Sequence, residues 1–470
     1  MGEHPWIIIA GILLVSVIMG ITLGYLYDNI VLGMLLVTSA LIIFALIVLP
    51  QIVTNILLAV YILIFVAVYD FIGYDPLLLD PIKVYFADGI LLFMVVFIIQ
   101  ILIHRIPISN LRSPITLLLI GNLIYGFAAV IIGYSAGNST NNILGDFRRF
   151  FLYPMVALVP LMITIKWKNL VKLFKWFCLC IVLISLIAFS RVILNTSWDP
   201  DQFSATNQFR AIGYFSGILI CLGIGIIYSV FLNNKHQHRL IPLLFLIVLE
   251  TVIFTSGYRM LWILGVFIPF FITYFSSRGL NKIIRILGIL IIVLFIIAVA
   301  TYVIKTISPG VFDRLADRFI LTLKDLDIRN NIRFFAWTSA WSMFKTSPVI
   351  GVGIGDQFEF LALNSGGQYY ISHLTTHNIL VSLLYQTGLI GSGLFLAIHG
   401  SFSIFIWKNI YTLKPSARKI MFGLLAGYFS ALIMGMVQPS FESPGAIVLF
   451  YFFVGVILNI YRVFEGETHG

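Results

Sequence analysis

Residues 377–398, HNILVSLLYQTGLIGSGLFLAI, decide the fold. A histidine and an asparagine head a run with no charged side chain. At 1.5 Å per residue the run is long enough to cross a bilayer core of about 30 Å. A long polar segment, 305–376, precedes it, so His377 stands at the mouth of a membrane helix. A histidine there, with arginines at other helix mouths, points to chemistry at the membrane surface.

The same grammar recurs from end to end. The chain has 470 residues, 60% hydrophobic and 10% charged, with a mean hydropathy of +1.05. No soluble domain has that balance. In lipid the backbone must satisfy its own hydrogen bonds, which leaves helices as the spanning unit. Spans are expected near 6–27, 30–50, 54–72, 88–104, 114–135, 150–165, 176–195, 211–232, 240–257, 260–276, 284–304, 378–407, 420–438 and 445–461. The fold class is therefore an all-α polytopic integral membrane protein. It has about 12–14 transmembrane helices and one long extracytoplasmic loop containing short helices. The 6–27 segment lacks a basic leader and a small-residue cleavage site, and reads as a retained helix. Cys178, Cys180 and Cys221 all lie in apolar runs and imply neither a disulfide framework nor a metal site.

Lys and Arg orient the chain. One set of loops carries 16 of the 29 basic residues and no acid; the opposite side carries the other 13 with 16 acids. The first set is assigned to the cytoplasm, with both termini, and His377 to the exterior. The net charge of +10 reflects topology and is no nucleic-acid footprint. The expected setting is a cytoplasmic membrane, with membrane lipids as the surroundings.

The long outward segment carries Asp313-Arg314 and Asp317-Arg318 at helical spacing, then Asp325, Asp327, Arg329 and Arg333. A helix over 334–344 follows, with Trp337 and Trp341 on an apolar face suited to the membrane interface. Ser347-Pro348 stops it, and Gly351, Gly353 and Gly355 make an irregular turn. Three inward-running helices begin beside outward polar residues: Arg210 before 211, Arg259 before 260 and His377 before 378. Helix N-termini carry partial positive charge, and arginines beside them favour phosphate. Gly388 and Gly391 lie below His377 on one stripe of a continuous helix, where a neighbouring helix or a lipid chain can approach closely. Residue type alone leaves plainer readings open: an interface histidine, snorkelling arginines and packing glycines. His104, His236 and His238 sit with cytoplasmic basic residues, and His399 lies deep in its helix. Glu250 is an acid inside a span and needs a partner.

The spacing His377-Asn378, nine residues, Gly388, two residues, Gly391 resembles the signature of the O-antigen ligase family. Arg333 with Trp337, Ser347-Pro348-Val349-Ile350-Gly351-Val352-Gly353, Ser256-Gly257-Tyr258-Arg259 and Arg210-Ala211-Ile212-Gly213 resemble further family elements. The resemblance divides the chain into N-terminal helices at 1–204, a catalytic region at 205–407 and C-terminal helices at 408–470. It implies a metal-independent, cofactor-free, inverting bacterial membrane glycosyltransferase of the GT-C type. The donor is a glycan on undecaprenyl diphosphate and the acceptor a lipid- or glycan-linked sugar hydroxyl. His377, Arg259 and Arg333 are then catalytic. Arg210, Asn378, Trp337, Gly388 and Gly391 are substrate-binding. Polymerisation of O-antigen or exopolysaccharide repeat units is the alternative within the class. A lipid-linked oligosaccharide flippase is the alternative outside it, and needs polar groups at mid-membrane. Asp325-Leu326-Asp327 has the spacing of a metal motif but lies on a helical stretch, and no metal site is expected.

Overall fold

The computed structural model describes residues 51–72, 85–104, 113–162, 167–194, 211–233, 240–277, 280–324, 332–356, 359–363, 369–372 and 376–469. The expected spans at 6–27 and 30–50, together with Arg210, Asp325, Asp327, Arg329, His236 and His238, lie outside these. In chain order come α1 (Gln51–Ile72), α2 (Gly89–His104), α3 (Pro114–Ser135), α4 (Thr140–Phe147) and α5 (Leu158–Leu161). Then follow α6 (Trp167–Leu194), α7 (Tyr214–Asn233), α8 (Leu240–Thr255), α9 (Arg259–Ser276) and α10 (Leu280–Ile307). The long polar segment supplies α11 (Pro309–Lys324), α12 (Ile332–Thr346) and an antiparallel hairpin of β1 (Phe360–Leu363) and β2 (Tyr369–Ser372). The chain closes with α13 (Ile379–Asn409), α14 (Pro415–Val437) and α15 (Pro444–His469). Eight helices among the described residues are long and apolar enough to cross a membrane, and three shorter apolar helices accompany them. The protein is an all-α polytopic membrane protein.

The core is built where small residues let backbones meet. α7 is buried along most of its length and crosses α14 antiparallel. A side chain on Gly225 would strike the Gly423 carbonyl, and one on Gly423 the Gly225 carbonyl. Without Cβ atoms the two helices gain close packing that lipid alone does not drive. Beside this crossing, His399 of α13 lies between Tyr428 of α14 (Nδ1 to Oη, 3.0 Å) and Tyr451 of α15 (Nε2 to Oη, 3.2 Å). This satisfies a buried imidazole in the protein interior and ties three helices together.

The expected span at 150–165 takes a different form. Arg148–Leu152 is a π-turn, Tyr153–Ala157 a 3-10 turn and Leu158–Leu161 a single α turn. Pro154 and Pro160 remove N–H donors and break the helical ladder. The segment is buried in protein from Tyr153 to Met162, which is where irregular backbone is tolerated at membrane depth. α15 covers it: Gly455 lies against the Ala157 carbonyl, and Asn459 donates its amide to the Pro160 carbonyl at 2.7 Å.

The continuous helix expected through Gly388 is also corrected. Gly388 has φ 62 and ψ −159, so α13 is two helical pieces meeting at a break. That break is filled by the 347–355 turn. Leu389 and Ile390 donate backbone N–H to the carbonyls of Pro348 (2.9 Å) and Val349 (3.2 Å). Val352 and Gly353 donate to the carbonyls of Tyr385 (2.9 Å) and Gln386 (3.0 Å). The Thr387 carbonyl accepts from Tyr125 Oη of α3 at 2.8 Å. Groups that the break would orphan in a membrane are thus paired one by one. The glycines of the turn have positive φ, at Gly351 (77°), Gly353 (104°) and Gly355 (81°), a conformation glycine adopts without steric cost.

Candidate functional site

The sequence places His377, Arg259 and Arg333 far apart, and the fold draws them to one end of the bundle. α9 and α14 run antiparallel, with ring contacts between Phe271 and Phe429 (6.0 Å) and between Phe275 and Phe422 (5.7 Å). Continuing that register brings Arg259, at the start of α9, level with the end of α14. α7 follows the same register: Gly217 lies beside both Met434 and Leu261. Ala211, next in sequence to Arg210, is buried at this end and its carbonyl accepts from Arg191 Nη1 at 3.2 Å.

Arg333 reaches the end of α14 directly. Its Nη1 donates to the Val437 carbonyl at 2.8 Å and its Nη2 to Gln438 Oε1 at 3.3 Å. Two anchors orient a planar group that carries five N–H donors in all. One turn further along α12, Trp337 donates its indole N–H to the Thr376 carbonyl at 2.9 Å. Trp337 therefore holds the residue before His377 while its ring stays partly exposed. α12 packs through Ala336 and Ala340 against Phe360 and Tyr385, leaving Trp341 exposed. A small-residue face carries the packing and the tryptophans stay outside it.

His377 is the single non-glycine residue with positive φ (53°) among the described residues. Its backbone is fixed on both sides. Asn378 caps α13, its Oδ1 accepting from the N–H groups of Leu380 (3.0 Å) and Val381 (3.2 Å). Thr376 Oγ1 bonds to the Asn378 carbonyl (3.0 Å) and to Ser382 Oγ (2.6 Å). Strained backbone of this kind persists where surrounding contacts over-determine it, and clusters at functional sites. The side chain faces Glu442, with Nδ1 3.9 Å from Oε1. Sequence reading missed Glu442 and Gln438. Both lie in the short connection between α14 and α15, and no spacing in the chain links them to residues 333 and 377.

The structure places Gly388 and Gly391 against protein. A side chain on Gly388 would meet Val349 and Gly351, and one on Gly391 would meet Thr387 and Tyr125. Their smallness serves the joints that α13 makes with the 347–355 turn and with Tyr125 of α3.

A second polar cluster supports this joint. Asp146 Oδ2 accepts from the Gly355 N–H (2.9 Å) and Gln386 Nε2 (3.0 Å), while its Oδ1 pairs with Arg149. Asp356 lies nearby. Burial first, then the charges of Asp146 and Glu359, push its carboxyl above the usual carboxylate range. The folded state thus favours the protonated form. Its stabilising share is present below the unfolded value near 3.9 and is lost as pH rises through the raised folded value. Asp356→Asn should therefore raise the thermal midpoint in detergent at pH 7, with the gain vanishing at about pH 4. An equal gain at both pH values would show that charge is not the cause.

Among the described residues no group of three or more His, Cys, Asp or Glu side chains is arranged to hold a metal ion. The arrangement instead offers guanidinium groups, helix N-termini and an imidazole opposite a carboxylate, a set suited to binding an anion and moving a proton. No curated protein matches the chain. A family model described as O-antigen ligase matches residues 213–396, a region that spans α9, α12, the 347–355 turn, His377 and the Gly388 break. Over that region the chain is similar to the O-antigen ligase family.

Proposed function

We propose that this protein is a membrane glycosyltransferase of the O-antigen ligase type. It transfers a glycan from undecaprenyl diphosphate to a sugar hydroxyl on the outer face of the cytoplasmic membrane. The observation that carries this reading is the meeting of Arg333, from within the long polar segment, and His377, just past its end, at residues 437–442. An acceptor hydroxyl oxygen attacks the anomeric carbon, and the bond from that carbon to the diphosphate oxygen breaks with inversion. Negative charge develops on the diphosphate, and fixed guanidinium groups of Arg259 and Arg333 stabilise it more in the transition state than in the ground state. The hydroxyl proton passes to His377, whose imidazolium faces Glu442.

Lysine carries the charge of arginine but not its planar pair of donors. Arg259→Lys and Arg333→Lys should each lose most transfer activity while inserting and folding normally. The assay is a purified lipid-linked repeat unit presented with and without a second lipid acceptor. Near wild-type transfer in both lysine variants would make these residues anchors and sink the proposed clamp. A ladder of longer chains from the donor alone would assign the reaction to polymerisation; transfer only to the second lipid assigns it to ligation.

A further inference from the structure

Glu250 sits on α8 inside the membrane-spanning region, 3% exposed, and neither carboxyl oxygen has a hydrogen-bond partner among the described residues. Its carboxyl lies against Gly265 of α9, where an added side chain would meet Oε2 at 2.8 Å. Pro269, one turn on, has no N–H to offer the Gly265 carbonyl. Glu250 is thus a carboxyl in the membrane interior beside a helix whose backbone ladder is interrupted at Pro269.

A cavity of about 420 Å³ supplies the space. It is lined by Glu250 and Pro269, by apolar side chains of α8 and α10, and at one end by Arg285 and Lys419. Ile247 (38% exposed) and Ile292 (50% exposed) line it and also face outward, so it opens sideways towards the bilayer. Arg285 bonds Ser277, just past the end of α9, and Lys419 bonds the Leu232 carbonyl near the end of α7. Both cations therefore mark the bundle end opposite His377, the end that charge asymmetry assigns to the cytoplasm. Glu250 is ten residues from Leu240, about 15 Å along α8, and its side chain leans back towards that end.

We infer that this cavity is a binding site for an anionic glycerophospholipid of the adjacent leaflet. Its phosphate lies with Arg285 and Lys419, and an acyl chain fills the apolar space as far as Glu250 at the deep end of the cavity. Two cations against one carboxyl among the lining residues favour an anionic over a zwitterionic headgroup.

The test uses delipidated full-length protein and native mass spectrometry, with dioleoyl phosphatidylglycerol or dioleoyl phosphatidylcholine added back. One phosphatidylglycerol should be retained with a preference of roughly 10- to 30-fold. The double variant Arg285→Gln, Lys419→Gln should lose that preference. Gly288 lines the cavity with nothing within 4 Å of an added Cβ, so Gly288→Phe should fold and exclude the lipid. Millimolar inorganic phosphate should not displace it, because phosphate lacks the chain. Photoactivatable phosphatidylglycerol in vesicles should crosslink wild-type protein within residues 246–250 or 285–296. Equal retention of both lipids, displacement by phosphate, a Gly288→Phe variant that keeps its lipid, or crosslinks elsewhere would each overturn the site.

Discussion

His377→Ala should abolish glycan transfer while donor binding persists, because the arginines hold the diphosphate in the proposed mechanism. General acid–base assistance is typically worth about 10²–10⁴-fold, so His377→Gln falls by roughly that factor. In the wild type the rate rises through a single ionisation as the imidazole loses its proton, and that limb is absent from the residual activity of the glutamine variant. Glu442 makes the test sharper. Glu442 faces the imidazole and orients it in the proposed mechanism. Glu442→Gln should therefore slow turnover while leaving donor affinity near wild type. A His377 variant with normal turnover and weak donor binding would make the histidine a ligand and refute the proton-transfer role. Unchanged turnover in Glu442→Gln would detach Glu442 from the site.

Gly388→Ala carries the largest expected cost to the fold. At φ 62 and ψ −159 the backbone occupies a region open essentially to glycine alone, and the new methyl would be driven into Val349 and the Gly351 nitrogen. Strain and steric overlap together predict a loss of about 3 kcal/mol or more. The loss should appear as a lower thermal midpoint in detergent and faster proteolysis within 347–376. Transfer should fall with it, since α12 and the His377 turn are positioned through this joint. Gly393→Ala, five residues further along α13, is the control: nothing lies within 4 Å of its added methyl. In a helix interior that change is neutral or stabilising, by up to about 1 kcal/mol. If both variants melt alike, the joint does not depend on Gly388.

Much of this was legible in the chain. Apolar runs of bilayer length announced the helices, because a spanning helix satisfies its backbone locally and needs only a long apolar surface. The runs at 114–135, 240–257, 260–276 and 420–438 each appear within a few residues of those bounds. Asn378 read as the head of α13 for a similarly local reason, since its side chain caps N–H groups two and three residues away. The break at 148–161 was less visible: its prolines were in plain sight, but only burial under α15 makes the irregular path tolerable in a membrane.

By itself the sequence determined that the chain is a bundle of apolar helices, that His377 and Arg259 stand at helix mouths, and that Arg333 lies in the long polar segment. Those properties depend on residues a few positions apart. Tertiary structure alone decided that Glu442 faces His377, that Gln438 and the Val437 carbonyl hold Arg333, and that the Ser347–Gly355 turn fills the break at Gly388. These pairings join residues tens of positions apart. Each is set by which helices pack together and in what register, through contacts such as Gly225 on Gly423, and no local pattern carries that information.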